Sequence, residues 1–89
     1  MNQLNVASVR EFLLDFVDER LSVRGYSAAE VNDEFDLLVS GVIDSLAFLE
    51  MTVALQERFE VEFDFEEIDP VQLSIVGPLC HYVSSLKNA

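Results

Sequence analysis

Gly41-Val42-Ile43-Asp44-Ser45-Leu46-Ala47-Phe48-Leu49-Glu50-Met51-Thr52-Val53-Ala54-Leu55-Gln56-Glu57-Arg58-Phe59-Glu60 reads as a bend, a cap and an acidic amphipathic helix. Gly41 lets the backbone turn. Asp44 is a good N-cap, because its carboxylate can accept a hydrogen bond from a first-turn N–H. At about 100° per residue, Phe48, Met51, Leu55 and Phe59 share one face, which is the core face. Leu46 and Val53 fall almost opposite, flanked by Glu50 and Glu57, with Leu49 at the edge. Ser45 then sits in the first turn with its hydroxyl toward solvent. No neighbouring group in the sequence is suited to activate it. A hydroxyl presented without a base suits a residue that another enzyme modifies. The aliphatic side chains set among carboxylates beside it suit contact with a partner protein.

Outward from this helix the pattern continues. Leu37-Leu38-Val39-Ser40-Gly41 precedes it, and Ile75-Val76-Gly77-Pro78-Leu79 with Tyr82-Val83 follows. Together with Asp44-Ser45-Leu46, Leu49-Glu50, Ala54-Leu55, Glu57 and Phe59, these residues resemble the acyl and peptidyl carrier proteins from roughly Val6 to Leu86. The resemblance implies that Ser45 takes a 4′-phosphopantetheine arm from coenzyme A, delivered by a phosphopantetheinyl transferase. It implies that Asp44 helps to position that transferase and its metal, beyond capping the helix. Leu46, Leu49, Glu50, Val53 and Glu57 become docking residues for partners with basic patches. Two departures from the family pattern thin the negative surface on this reading: Ala47 stands where many fatty-acid carriers have an acid, and Gln56 replaces a common Glu.

The rest of the chain supplies the other helices. Val9, Phe12, Leu13, Phe16, Val17 and Leu21 recur at helical spacing. This first helix starts at Asn5 or Ser8, with Ser8 and Glu11 fitting a capping box, and it stops near Gly25. A long connection to Ile43 follows, in which Ser27 and Glu30 can cap one turn. Val61-Glu62-Phe63-Asp64-Phe65 alternates as a strand does, but no second strand exists to pair with it. A loop and a short third helix, capped by Asp64 with Glu67 and ending near Asp69-Pro70, is expected instead. The last helix begins after Ser74, with Gly77 and Pro78 in its first turn, where a missing N–H breaks no helical bond. Leu79, Tyr82, Val83 and Leu86 form its core face. The expected fold is all-α: a four-helix bundle of acyl-carrier type over residues 1–89, with a long loop between helices 1 and 2 and a short third helix.

Composition narrows the function classes. Seventeen acidic residues against five basic ones give a net charge of −12, beyond the ~2–8 usual for a small soluble domain. Such a field repels nucleic acid and anionic membranes and attracts basic protein surfaces. The single cysteine forms no internal disulfide. No apolar run is long enough to span a bilayer, and a cytoplasmic monomer is expected. Cys80 and His81 are adjacent on a helix, so their side chains diverge by about 100° and make no catalytic pair. The acidic run from Glu60 to Asp69 lacks the ligand spacing of a calcium loop. No metal site and no catalytic constellation is expected, and the chain reads as a carrier rather than an enzyme.

The cargo follows from the resemblance alone. Ile43 before Asp44 is closer to freestanding carriers loaded by adenylating ligases, such as D-alanyl carriers and those of specialised metabolism, than to housekeeping fatty-acid carriers. The expected cargo is therefore an aminoacyl or acyl group held as a thioester. An adenylating ligase or acyltransferase loads it, and downstream synthase or transferase enzymes receive it. The alternatives are a housekeeping fatty-acid synthesis carrier and an unmodified acidic helical interaction module.

Overall fold

The computed structural model describes residues 4–69 and 71–86. Within them the chain forms three α-helices: α1 (Val6–Arg24), α2 (Ser45–Phe59) and α3 (Val76–Ser85). Single 3₁₀ turns lie at Ala28–Glu30 and Gln72–Ser74. The described residues contain no strand, only an isolated antiparallel bridge between Asp36 and Ile75. The protein is all-α.

Helix α1 is the strut against which both α2 and α3 pack. Val9, Leu13, Val17 and Leu21 form its fully buried stripe. They meet Met51 and Leu55 of α2 and Leu79 and Val83 of α3 in one continuous core. Each such aliphatic side chain contributes roughly 1.5–3 kcal/mol on leaving water. The Phe12 and Phe59 rings, 5.9 Å apart and edge to face, join α1 to the end of α2.

The cap of α1 differs from the expected Ser8–Glu11 box. Asn5 is the N-cap: its Oδ1 accepts from the Ser8 N–H at 2.8 Å, and Ser8 Oγ accepts from the Asn5 N–H at 3.2 Å. Starting one turn earlier brings Val6 against the core. At the other end Gly25 takes a left-handed conformation (φ 81°), and its N–H donates to the last carbonyls of α1.

The expected third helix over 64–69 is absent, so the expected four-helix bundle is replaced by three α-helices among the described residues. Asp64 does cap a turn, with its carboxylate accepting from the Glu66 N–H at 3.0 Å and its carbonyl from the N–H groups of Glu67 and Ile68. The turn then stops, because so short a segment forms too few bonds to offset nucleation and a proline at 70 disfavours helical backbone at Asp69. Pro70 itself lies outside the described residues. Val61 and Phe63 are buried and Phe65 is exposed. The Tyr82 hydroxyl accepts from the Asp64 N–H at 2.8 Å, with the Phe63 and Tyr82 rings 5.3 Å apart, and so ties this segment to α3.

The connection from α1 to α2 is stitched down rather than loose. Glu30 accepts from the Ser27 N–H at 2.8 Å and closes the 3₁₀ turn. Asp36 accepts from the N–H groups of Leu38 and Val39, an aspartate turn that fixes the next bend. Backbone bonds then run from this segment to the start of α3: Leu37 N–H to the Ser74 carbonyl at 2.8 Å, Val76 N–H to Phe35 at 3.0 Å and Gly77 N–H to Asp33 at 2.8 Å. The Ile43 N–H donates to the Leu37 carbonyl at 3.1 Å. This last bond sets where α2 begins.

Candidate functional site

Helix α2 begins where its sequence says it should. Asp44 has extended backbone geometry, and its Oδ1 accepts from the Ala47 N–H at 2.8 Å. Ser45 is the first helical residue and is exposed. Among the described residues no hydrogen bond holds its hydroxyl, and no side chain is aimed at it as a base. The first-turn N–H groups of α2, apart from the one Asp44 takes, have no intrahelical acceptor. Such a terminus is favourable to a phosphate ester.

From Ser45 along the outer face of α2 lie Leu46, Leu49 and Val53, which are 67%, 56% and 52% exposed. Glu50 and Glu57 stand beside them, also exposed. Leu49, Glu50, Val53, Ala54 and Glu57 line a shallow depression of about 320 Å³. The structure thus brings Asp44, Ser45, Leu46, Leu49, Glu50, Val53 and Glu57 onto one continuous surface. Apolar groups on it are spaced among carboxylates instead of being covered by the fold.

Positions 47 and 56 differ from their reading as thinned surface charge. Ala47 is buried and helps line the junction of α2 with α1. Gln56 is a clasp. Its Nε2 donates to the Thr52 carbonyl at 3.1 Å, while its Oε1 accepts from the Phe63 N–H at 2.9 Å. Its own carbonyl accepts from the N–H groups of Glu60 and Val61. A glutamate has no donor for the Thr52 carbonyl. Glu60 ends the helix in a left-handed conformation (φ 55°), which costs a non-glycine residue about 1 kcal/mol.

A second feature was not singled out in the sequence. The carboxyl-terminal half of α1 and the start of α2 enclose an open cleft of about 600 Å³, lined among others by Arg20, Val23, Arg24, Gly41, Asp44 and Leu46. Arg20 and Arg24 are one turn apart, a spacing visible in the sequence, but that they face α2 follows only from the packing.

Cys80 and His81 diverge, the first buried in the core and the second exposed. Burial pushes the Cys80 thiol above its ordinary value of 9.0, and the positive charge of Arg10 offsets part of the rise. The folded state therefore holds this proton more tightly than the unfolded chain. The associated stability is intact below about pH 9.0 and is lost as the pH climbs through the raised value. Denaturant titrations at pH 8 and pH 10 should show a lower midpoint at the higher pH, with a smaller drop in Cys80→Ala. Among the described residues no group of three or more histidine, cysteine, aspartate or glutamate side chains is arranged to hold a metal ion. No described helix is long and apolar enough to cross a membrane.

Comparison with known proteins agrees with this geometry. Residues 12–83 match the family described as "Phosphopantetheine attachment site". The chain is 33% identical over 82 residues to a D-alanyl carrier protein of Streptococcus uberis, covering 92% of this chain and 99% of that one. No solved structure matches the chain significantly. The family's cofactor is covalently attached 4′-phosphopantetheine, which supplies a long flexible thiol arm for carrying cargo. An exposed, unbonded serine at a helix start, with unfilled N–H groups around it, fits that group. Both likenesses are to carriers, which present cargo to enzymes and are not themselves enzymes. From the match over most of its length, the chain belongs to the phosphopantetheine attachment-site family of carrier proteins.

Proposed function

We propose that Ser45 is the attachment residue and that the chain, acting as a single carrier domain, holds aminoacyl or acyl cargo on the arm and presents it to partner enzymes. The observation that carries this reading is the exposed Ser45 hydroxyl, without a hydrogen bond among the described residues, opening the helix that also displays Leu46, Leu49 and Val53. In the loading step the seryl oxygen forms a bond to the phosphorus that bears pantetheine. The pyrophosphate link of coenzyme A breaks, adenosine 3′,5′-bisphosphate leaves, and the seryl proton passes to a base that the transferase brings. Asp44 fixes the helix start at which the transferase works.

An aminoacyl cargo is favoured by the similarity to a protein named for D-alanine carriage and by Ile43 at the position before Asp44. An adenylating ligase then loads the arm, and synthase or transferase enzymes take the cargo, in an aminoacyl or specialised biosynthetic route in the cytoplasm. Incubation of the purified protein with coenzyme A and a broad-specificity transferase tests the site. One phosphopantetheine of added mass, located on the Ser45 peptide, is expected. An unchanged mass would overturn the reading in favour of an unmodified interaction module.

Docking is assigned to Leu46, Leu49, Glu50, Val53 and Glu57. Fast, low-affinity encounters steered by charge suit a carrier that visits several enzymes. Glu50→Lys with Glu57→Lys is expected to slow modification by roughly tenfold or more at low salt. The deficit should shrink toward 1 M salt, where screening acts over ~3 Å. Equal rates at low salt would remove the two glutamates from the docking surface.

A further inference from the structure

Five basic residues are available to a chain of net charge −12. Arg10 is engaged by Asp33 and by the Val31 carbonyl. Arg58 lies over the Phe59 ring at the far end of α2, and Lys87 is outside the described residues. Arg20 and Arg24 remain, and both line the cleft that is also lined by Asp44 and Leu46, the neighbours of Ser45 on either side.

The way these two side chains are held is informative. The Arg20 guanidinium sits over the Phe16 ring, 5.6 Å from its centre. The Arg24 guanidinium packs against Gly41, where a Cβ would come within 3.3 Å of its central carbon. A ring and a bare backbone position restrain a guanidinium while leaving its N–H donors unused. Among the described residues no carboxylate lies within ion-pair distance of either arginine, although Glu19 and Glu50 line the same cleft.

An arm on Ser45 adds one more negative charge beside Asp44 and Glu50. That charge is a phosphodiester with two terminal oxygens, a good match to a guanidinium fork. Resting on the Ser45 reading above, we propose that Arg20 and Arg24 form a phosphate-binding pair that holds the arm's phosphodiester and turns the arm into the α1–α2 cleft, over Val23 and Gly41. Gly41 then has two tasks: it bends the chain before α2, and it leaves room for the Arg24 guanidinium. The cleft gives the idle arm a berth on the α1 side of the attachment point, bordering the docking face at Leu46 and Glu50.

The test uses the full chain carrying an arm with no cargo, so that a response cannot come from an acyl carboxylate. Intact mass and the Ser45 peptide first establish that one arm is present. In ¹⁵N-labelled protein, conversion from apo to holo should shift the Nε–H resonances of Arg20 and Arg24 and the amides of Val23 and Gly41. The ³¹P resonance of the holo protein should move toward that of a free phosphopantetheinyl peptide in Arg20→Gln with Arg24→Gln. The wild type in 1 M salt should move the same way, because the pair is then screened within ~3 Å. Shifts confined to residues 44–49, with a ³¹P resonance that ignores both the substitutions and the salt, overturn the proposal and leave Ser45 standing. No added mass on Ser45 removes both.

Discussion

Ser45→Ala is expected to abolish arm attachment while leaving the fold in place. The loss should be complete, since no other described hydroxyl shares its position: Ser40, four residues before Asp44, donates to the Leu37 carbonyl at 3.2 Å and lies inside the connection. The fold should not register the change. The Ser45 hydroxyl is exposed and makes no hydrogen bond among the described residues. The cap that starts α2 belongs to Asp44 and the Ala47 N–H, and both survive. Alanine is the best helix former at an exposed helical site. The expected change in stability is within about 0.5 kcal/mol, or a Tm within about 4 °C of wild type. Intact mass after treatment with coenzyme A and a transferase, with thermal unfolding alongside, checks both halves. A Ser45→Ala protein that still gained the arm would place the site elsewhere.

Gly77→Ala carries the largest expected effect on stability. A Cβ on Gly77 would lie 2.8 Å from both the Cβ and the backbone oxygen of Asp33. Neither can yield cheaply, because Asp33 sits in the segment whose backbone is bonded to the start of α3. The Gly77 N–H donates to that same Asp33 carbonyl at 2.8 Å, and the Val76 N–H donates to Phe35 at 3.0 Å. Accommodating the methyl means prising α3 from the connection. Overpacking of this kind and a weakened buried hydrogen bond together cost about 2–4 kcal/mol. In a chain of this size the Tm should fall by about 10–20 °C. Thermal or urea unfolding measures it, and a fall below about 2 °C would show that Asp33 moves aside freely. Gly25 is the internal contrast, since nothing lies within 4 Å of a Cβ built there. Its substitution carries only the conformational cost of φ 81°.

The sequence was most readable where several local signals coincide. For α2, the period of Phe48, Met51, Leu55 and Phe59, the cap at Asp44 and the preceding Gly41 all point to one start, and the helix runs from Ser45. The exposed stripe of Leu46, Leu49 and Val53 follows from the same wheel. Near Asn5 the sequence allows a start at Asn5 or at Ser8, and local chemistry does not rank them. The core does, because the earlier start brings Val6 against it. The segment after Phe59 offered a cap without the length to follow it. Asp64 therefore closes a turn instead of a helix. The α1–α2 cleft was out of reach, since Arg24 and Gly41 are far apart in the chain and meet only through packing. Positions 47 and 56 look like surface on a wheel, and their contacts with α1 and with Phe63 turn them inward.

Gln56 illustrates a limit on how such a carrier can change its clientele. Its neutral amide holds Thr52 behind it and Phe63 ahead of it, so Glu50 and Glu57 set the acidity of the face it borders. Acquiring a third carboxylate at this position, the simplest route to a more acidic landing strip, keeps an acceptor for the Phe63 N–H but sets a carboxylate oxygen against the Thr52 carbonyl, and so weakens the hold on the end of α2. Diversification toward more basic enzymes is thereby channelled to outward positions such as Val53, where no backbone group leans on the side chain.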